Sequence, residues 1–204
     1  MTHPLEIEFL AICRRLLDDA WSDDIGLGAT THHNDGSITP SLLNAPQGRE
    51  PKRPDHQFAH RMDRTIAVDL AARTIRLRSR HYEHAIGEAW QPDDWRARLE
   101  ARFRPMLSMT YGFETNAGWC DLLAATFETY EAAGEQPNFS QIKEKFGGLR
   151  MYGITPAGAL DDLEEHAGYL SVCICETCGT PGERRGGGWI STLCDRHHEE
   201  RSRR

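Results

Sequence analysis

Four residues near the C-terminus constrain this chain more than any others. Cys175 and Cys178 form a Cys-x2-Cys-Gly unit, and sixteen positions after Cys178 comes Cys194-x2-His197. An x2 spacing lets two thiolates converge on one ion from a single tight turn, and Gly179 lets the backbone turn back without a Cβ clash. Between the pairs, Gly186-Gly187-Gly188 suggests a loop and Trp189-Ile190-Ser191-Thr192 a short strand. Asp195 to Arg201 suits a helix whose first turn holds Cys194 and His197. Knuckle, hairpin and helix-borne ligands in that order is a treble-clef arrangement. Three thiolates and one imidazole make a closed site for one structural Zn2+, with no position left for water or substrate. Cys173 in place of Cys175 and His198 in place of His197 are the alternative ligands; the x2 spacing at both ends favours the first set.

The other cysteines fit this reading. Cys13 and Cys120 sit alone in helical patterns, while the remaining four crowd into residues 173–194. The N-terminus has neither the basic nor the apolar region of a signal peptide. No window approaches the ~20 consecutive apolar residues of a membrane span. A cytoplasmic, reducing setting is expected, where clustered thiols read as metal ligands before disulfides. The formal charge of −7 argues against a general nucleic-acid binder. The zinc-bearing end is nearly neutral, with nine Lys/Arg against ten Asp/Glu over residues 140–204.

Upstream, hydrophobic periodicity predicts an α+β fold of two β-hairpins and about four helices. Leu5, Phe9, Ile12, Leu16 and Ala20 mark a helix over residues 4–21. From Ser22 to about His60 the pattern dissolves into a polar stretch punctuated by prolines, read as a long loop. Residues 65–70 and 74–78 alternate with period two around Ala71-Ala72-Arg73, which predicts a first hairpin. Its inward face would be Ile66, Val68, Leu70, Ile75 and Leu77, with Arg76, Arg78 and Arg80 pointing the other way. Trp95, Leu99 and Phe103 predict a helix ended or kinked by Pro105. Trp119, Leu122, Leu123, Phe127 and Tyr130 predict another, capped by Asn116 and stopped by Gly134. Phe139–Phe146 and Leu149–Ile154 read as a second hairpin turning at Gly147-Gly148. Thr155-Pro156 opens a last helix that leads into Cys173. The organisation expected is an N-terminal helix and polar loop (1–62), an α+β core (63–171) and the zinc module (172–204).

The segment Gln141-Ile142-Lys143-Glu144-Lys145-Phe146-Gly147-Gly148-Leu149-Arg150-Met151-Tyr152 resembles one found in a group of uncharacterised bacterial and phage proteins. In that group a helix, C-x2-C-G, a G-W-x-x-T-L-C stretch and a terminal His follow. The matching residues are Cys175, Cys178, Gly179, Gly188, Trp189, Thr192, Leu193, Cys194 and His197, with Gly118-Trp119 upstream. The resemblance covers about the C-terminal half and implies a phage or prophage setting, with no function to carry over. A weaker similarity to HNH-type nucleases lies in the knuckle and Thr192-Leu193-Cys194. The catalytic Asp-His pair of those enzymes has no counterpart, since no histidine falls between Cys178 and Cys194. That ending belongs to the scaffold, which does not imply function.

Other constellations carry weaker signals. His32-His33-Asn34-Asp35 and His81-Tyr82-Glu83-His84 lack the spacing of a metal or catalytic motif and read as loop or hairpin-end residues. Asp161, Asp162, Glu164 and Glu165 suit the first turns of a helix. Lys143, Lys145, Arg150, Arg184 and Arg185 could gather around the zinc module as a contact patch for a partner or nucleic acid, and Arg76, Arg78 and Arg80 could form a second. Three functions are expected, in this order. The first is a non-enzymatic interaction protein of a phage or mobile element that binds another protein, such as a host defence complex of the CRISPR kind. The second is a nucleic-acid-binding zinc module, and the third an enzyme with its site in the N-terminal half.

Overall fold

A computed structural model of the protein describes residues 2–17, 23–49, 62–83, 88–89, 92–154, 160, 162–186 and 188–203. Helix α1 (Pro4–Leu16) starts on a capping box in which the His3 ring accepts from the Leu5 amide and Glu6 accepts from the His3 amide. Leu5, Phe9, Ile12, Cys13 and Leu16 form its buried stripe, as the periodicity predicts. The expected continuation to Trp21 lies outside the described residues, as do residues 50–61, His84, the Thr155-Pro156 helix start and Asp161.

Over residues 23–49 the polar excursion is more ordered than its sequence suggests. Strands β1 (Gly26–Leu27) and β4 (Leu42–Leu43) pair antiparallel, and β2 (Thr31–His32) pairs with β3 (Ile38–Thr39) inside them. Gly36, at φ +80, turns the chain at the tip. Among the described residues there, only Ile25 and Ile38 are buried hydrophobics, too few to register as alternation.

The first predicted hairpin is a helix. Residues Arg64–Ser79 form α2, the element against which α1 and the later helices pack. Asp63 caps it, its carboxylate accepting from the Thr65 and Ile66 amides at 2.9 and 3.3 Å. Its buried positions are Arg64, Ala67, Leu70, Ala71, Ala72, Thr74, Ile75, Leu77 and Arg78, among which Ala67, Leu70, Ala71, Thr74, Ile75 and Arg78 recur at a spacing of three and four rather than two. The β-branched residues and a short alternation imitate a strand. Ala67 and Ala71, which let neighbouring helices come close, carry the helical phase. Arg76, Arg78 and Arg80 therefore share no face: Arg76 is half-buried, Arg78 buried, and Arg80 exposed.

A two-residue strand pair, β5 (Tyr82–Glu83) with β6 (Glu88–Ala89), leads to helices α3 (Trp95–Arg102) and α4 (Arg104–Leu107), with Pro105 in the first turn of α4. Strand β7 (Phe113–Glu114) and a 3-10 turn (Ala117–Trp119) precede α5 (Cys120–Ala132), which Gly134 ends at φ +71. Asn116 does not cap this helix; its amide donates to Glu176 Oε1 at 3.2 Å. The second hairpin forms as predicted from β8 (Asn138–Lys145) and β9 (Gly148–Ile154), and β7 adds a parallel edge to β8. Its turn is one residue earlier than expected. Lys145 pairs with Gly148, leaving Phe146 and Gly147 at φ 53 and 74, the two positive values of a type I′ turn. The inner face of the sheet meets α5 through Phe127, Tyr130 and Phe139, with ring centroids 5.9 and 6.2 Å apart.

The last long helix, α6 (Leu163–Ser171), is shorter than predicted: Asp162 stands before it in the left-handed region, at φ 71. Its His166 is buried. The Asp63 amide donates to Nε2 at 2.8 Å, so Nδ1 carries the proton and donates to the Asp162 carbonyl at 2.7 Å. Burial lowers the pKa of this imidazole. Protonating Nε2 would break the bond joining the starts of α2 and α6. The unfolded chain binds the proton more readily, so this contribution is complete above the ordinary His value of about 6.5 and is lost as pH falls below it through the folded value. The denaturant-unfolding free energy should decline between about pH 7 and about pH 5, and less steeply in His166→Gln. An unchanged slope in that variant refutes the assignment.

Candidate metal centre

The chain leaves α6 and enters the knuckle. Backbone bonds from Cys175 N to Thr180 O (2.8 Å) and Gly179 N to Cys175 O (2.9 Å) close the turn, with Gly179 at φ +78. Strands β10 (Glu183–Arg185) and β11 (Ser191–Leu193) form the hairpin that follows. Cys194 is the N-cap of helix α7 (Asp195–Ser202), and His197 lies in its first turn. The Glu176 amide donates to Thr192 O at 2.9 Å, which ties the knuckle to β11.

Ligand atoms of Cys175, Cys178, Cys194 and His197 lie within 4.8 Å of one another. Cys178 Sγ and Cys194 Sγ are 3.9 Å apart, and His197 Nδ1 is 3.5 Å from Cys175 Sγ and 3.3 Å from Cys194 Sγ. With metal–sulfur bonds of about 2.3 Å and metal–nitrogen bonds of about 2.05 Å, tetrahedral edges are about 3.8 and 3.5 Å. The cluster therefore fits a tetrahedral ion, and among the described residues no fifth Cys, His or carboxylate joins it. Cys173 is buried and directs its sulfur toward Tyr169 O at 3.9 Å, and His198 also lies outside the cluster.

The surroundings favour thiolate at one knuckle sulfur. Cys178 is lowered by its hydrogen bond with Cys175, by the Thr180 hydroxyl and amide, and by the charge of His197. Cys175 is raised by the same mutual bond and by its burial. A bound dication would replace the shared proton and hold both as thiolates. Behind His197, Glu200 Oε2 stands 3.9 Å from Nε2, beyond hydrogen-bond distance.

Two features lie under the knuckle where the periodicity did not place them. Gly118 donates its amide to Glu176 O at 2.9 Å, and a Cβ there would lie 2.6 Å from Glu176 C and 2.7 Å from Cys178 N. Trp119, fully buried, donates its indole N–H to Ile174 O at 2.9 Å. The second feature is Arg78, 2 % exposed, whose Nε donates to Glu8 Oε2 at 3.1 Å and whose NH1 donates to Cys178 O at 2.7 Å. An arginine in phase with Ala67, Ala71 and Thr74 is the signal that would have located it. Gly118→Ala forces the knuckle off its seat, and a loss of about 3 kcal/mol is expected, with weaker metal retention. Denaturation of metal-loaded protein and chelator competition measure both; wild-type values in each would refute the contact.

The remaining candidates disperse. Lys143 and Lys145 place their ammonium groups over the Tyr152 and Phe146 rings, 5.3 and 5.5 Å from the centroids. Arg150 is half-buried, donates to Leu149 O at 2.8 Å, and has its pKa lowered by burial. Arg184 is exposed beside the hairpin tip, while Arg185 is held by Glu183 at 2.8 Å and by Asp195. Arg80 pairs with Asp35 at 3.2 Å. His33 Nε2 meets Thr39 Oγ1 at 2.8 Å and His81 Nε2 meets Asp121 Oδ2 at 3.2 Å, neither within a metal cluster. Cys13 and Cys120 are packed thiols whose pKa values burial raises. No protein-family model, curated protein or solved structure matches the chain. Among the described residues, no helix is long and apolar enough to cross a membrane.

Proposed function

We propose that this is a non-enzymatic interaction protein in which one structural Zn2+, held by Cys175, Cys178, Cys194 and His197, fixes a surface that binds another protein. Three sulfurs and one imidazole nitrogen favour zinc over the harder dications, and a closed set of four favours structure over catalysis. Such a site needs reduced thiols, which suits the cytoplasm. The observation that carries the reading is the groove beside the centre. It encloses about 450 Å³ and is lined by Glu144, Lys145, Phe146, Gly188, Trp189 and Ile190. Phe146 is 57 % exposed and Trp189 68 %, and adjacent large apolar groups left in water are the mark of a contact surface.

A phage or mobile-element setting, with a host defence complex as target, rests on the resemblance carried by residues 141–152 and the C-terminal motif. Basic groups near the groove also favour a second reading, nucleic-acid binding. The test is affinity capture from lysate with metal-loaded protein, with and without nuclease, alongside Trp189→Ala. Specific proteins retained after nuclease and lost with Trp189→Ala support the reading. Capture that vanishes with nuclease refutes it in favour of nucleic acid. Metal content by elemental analysis should give one zinc per chain, and none refutes the proposed centre.

A further inference from the structure

We infer that the groove between Phe146 and Trp189 receives a partner segment carrying a large apolar side chain flanked by carboxylates. This rests on the reading that the protein binds another protein, and names the chemistry of that partner.

The first observation is Phe146. At the first central position of a type I′ turn, with φ 53, Asn, Asp or Gly would be at ease, and a bulky side chain costs about 1–2 kcal/mol. At 57 % exposure, the residue gains little core contact in return. Strain held at an exposed aromatic points to a use for that aromatic.

The second is how the rim is held. Glu144 Oε1 accepts from the Gly147 amide at 2.6 Å, and the Thr192 hydroxyl donates to Gly147 O at 2.5 Å. A Cβ on Gly147 would stand 3.1 Å from Arg184 Cγ and 3.3 Å from Ile190 Cγ2. Hairpin tip and zinc module are thus in direct contact, so both walls of the groove are set before a partner arrives and little ordering cost remains.

The third is charge. Lys143, Lys145 and Arg184 make no ion pair among the described residues, whereas Arg185 next to them is paired with both Glu183 and Asp195. Glu144, the one carboxylate in the lining, has an oxygen engaged by Gly147. In a chain of net charge −7, a mainly apolar cleft near cations that have aromatic rings or solvent but no carboxylate as partners complements an acidic segment with an apolar anchor. A nucleic-acid strand would need a longer cationic track to offset the repulsion of the rest of the chain.

The test selects surface-displayed random peptides on the zinc-loaded full chain. The selected peptides are then titrated against wild type, Phe146→Asn and the Lys145→Glu/Arg184→Glu double variant. Asn suits the turn, so Phe146→Asn removes the ring without unfolding the hairpin, and zinc content verifies the centre. Selected peptides should combine an aromatic or aliphatic anchor with neighbouring Asp or Glu. Phe146→Asn should weaken them about tenfold or more, and charge reversal should do the same. Peptides without acidic bias, or indifferent to the reversal, overturn the acidic partner and leave the interaction reading standing. Peptides that bind Phe146→Asn as tightly as wild type move the site elsewhere, again leaving that reading intact. Failure to enrich any peptide overturns the groove, and oligothymidylate binding in its place with steep salt dependence overturns the interaction reading as well.

Discussion

Replacing Cys178 or Cys194 by Ala should abolish metal binding, unfold residues 172–203 and lower the stability of the whole chain in one cooperative step. The segment after α6 buries few apolar groups of its own; helix α7 has no buried residue at all. Its order is therefore expected to depend on a metal held by the Cys/His cluster. Apparent zinc binding in small zinc-finger peptides is on the order of 10 kcal/mol, comparable with the ~5–15 kcal/mol that holds an ordinary domain. The loss should not stay local. The Gly118 amide, the Trp119 indole and the Arg78 guanidinium all donate to carbonyls between Ile174 and Cys178. When the knuckle opens, three donors lose partners, and a buried one left unsatisfied costs about 1–3 kcal/mol. Amide exchange with and without a chelator checks both parts. Retained protection of residues 172–203 without metal would refute the dependence, and unchanged protection of α2 and α5 would refute the coupling.

Arg78→Met should destabilise the protein by about 3 kcal/mol and weaken metal retention, although Arg78 touches no ligand atom. Removing one member of a buried ion pair leaves the other without its partner, at a typical cost of about 3–5 kcal/mol. Glu8 keeps some solvent contact, with a side chain 19 % exposed, which argues for the lower end. The Cys178 carbonyl also loses its donor, and the knuckle loses its support from below. Arg78→Lys should rescue poorly, because a single ammonium does not reproduce the planar fork that serves Glu8 and Cys178 O together. Arg80→Met is the control: the exposed pair with Asp35 should contribute under about 1 kcal/mol. Denaturant unfolding and chelator competition separate the two arginines, and equal, small effects would refute the brace.

That contrast shows where the sequence was readable. Helices α1 and α5 and the second hairpin follow from patterns long enough that only one period fits. The segment over residues 65–78 does not. Its alternation of Ile66, Val68 and Leu70 and its helical stripe through Ala67, Ala71 and Thr74 coexist, and the stripe rests on small residues that hydropathy weighs lightly. Packing against α1, α5 and α6 selects the helix, because strand geometry could not present Ala67, Ala71 and Arg78 on one face. The turn at Phe146-Gly147 was hidden for a related reason. Gly147-Gly148 is the better local turn, but the ladder register of the hairpin makes Gly148 a strand residue.

By itself the sequence pointed to the four residues that cluster, Cys175, Cys178, Cys194 and His197, since the x2 spacing places each pair on one turn of backbone whatever the rest of the chain does. It also determined the α+β class and the approximate bounds of the longest regular elements. Only the tertiary structure decided that Arg78 is a buried brace rather than a surface charge, that Gly118 and Trp119 lie beneath the knuckle, and that Phe146 and Trp189 form one groove. Those pairings join residues tens of positions apart, and no local period encodes them. They arise when the burial of several helices and a sheet is satisfied at once.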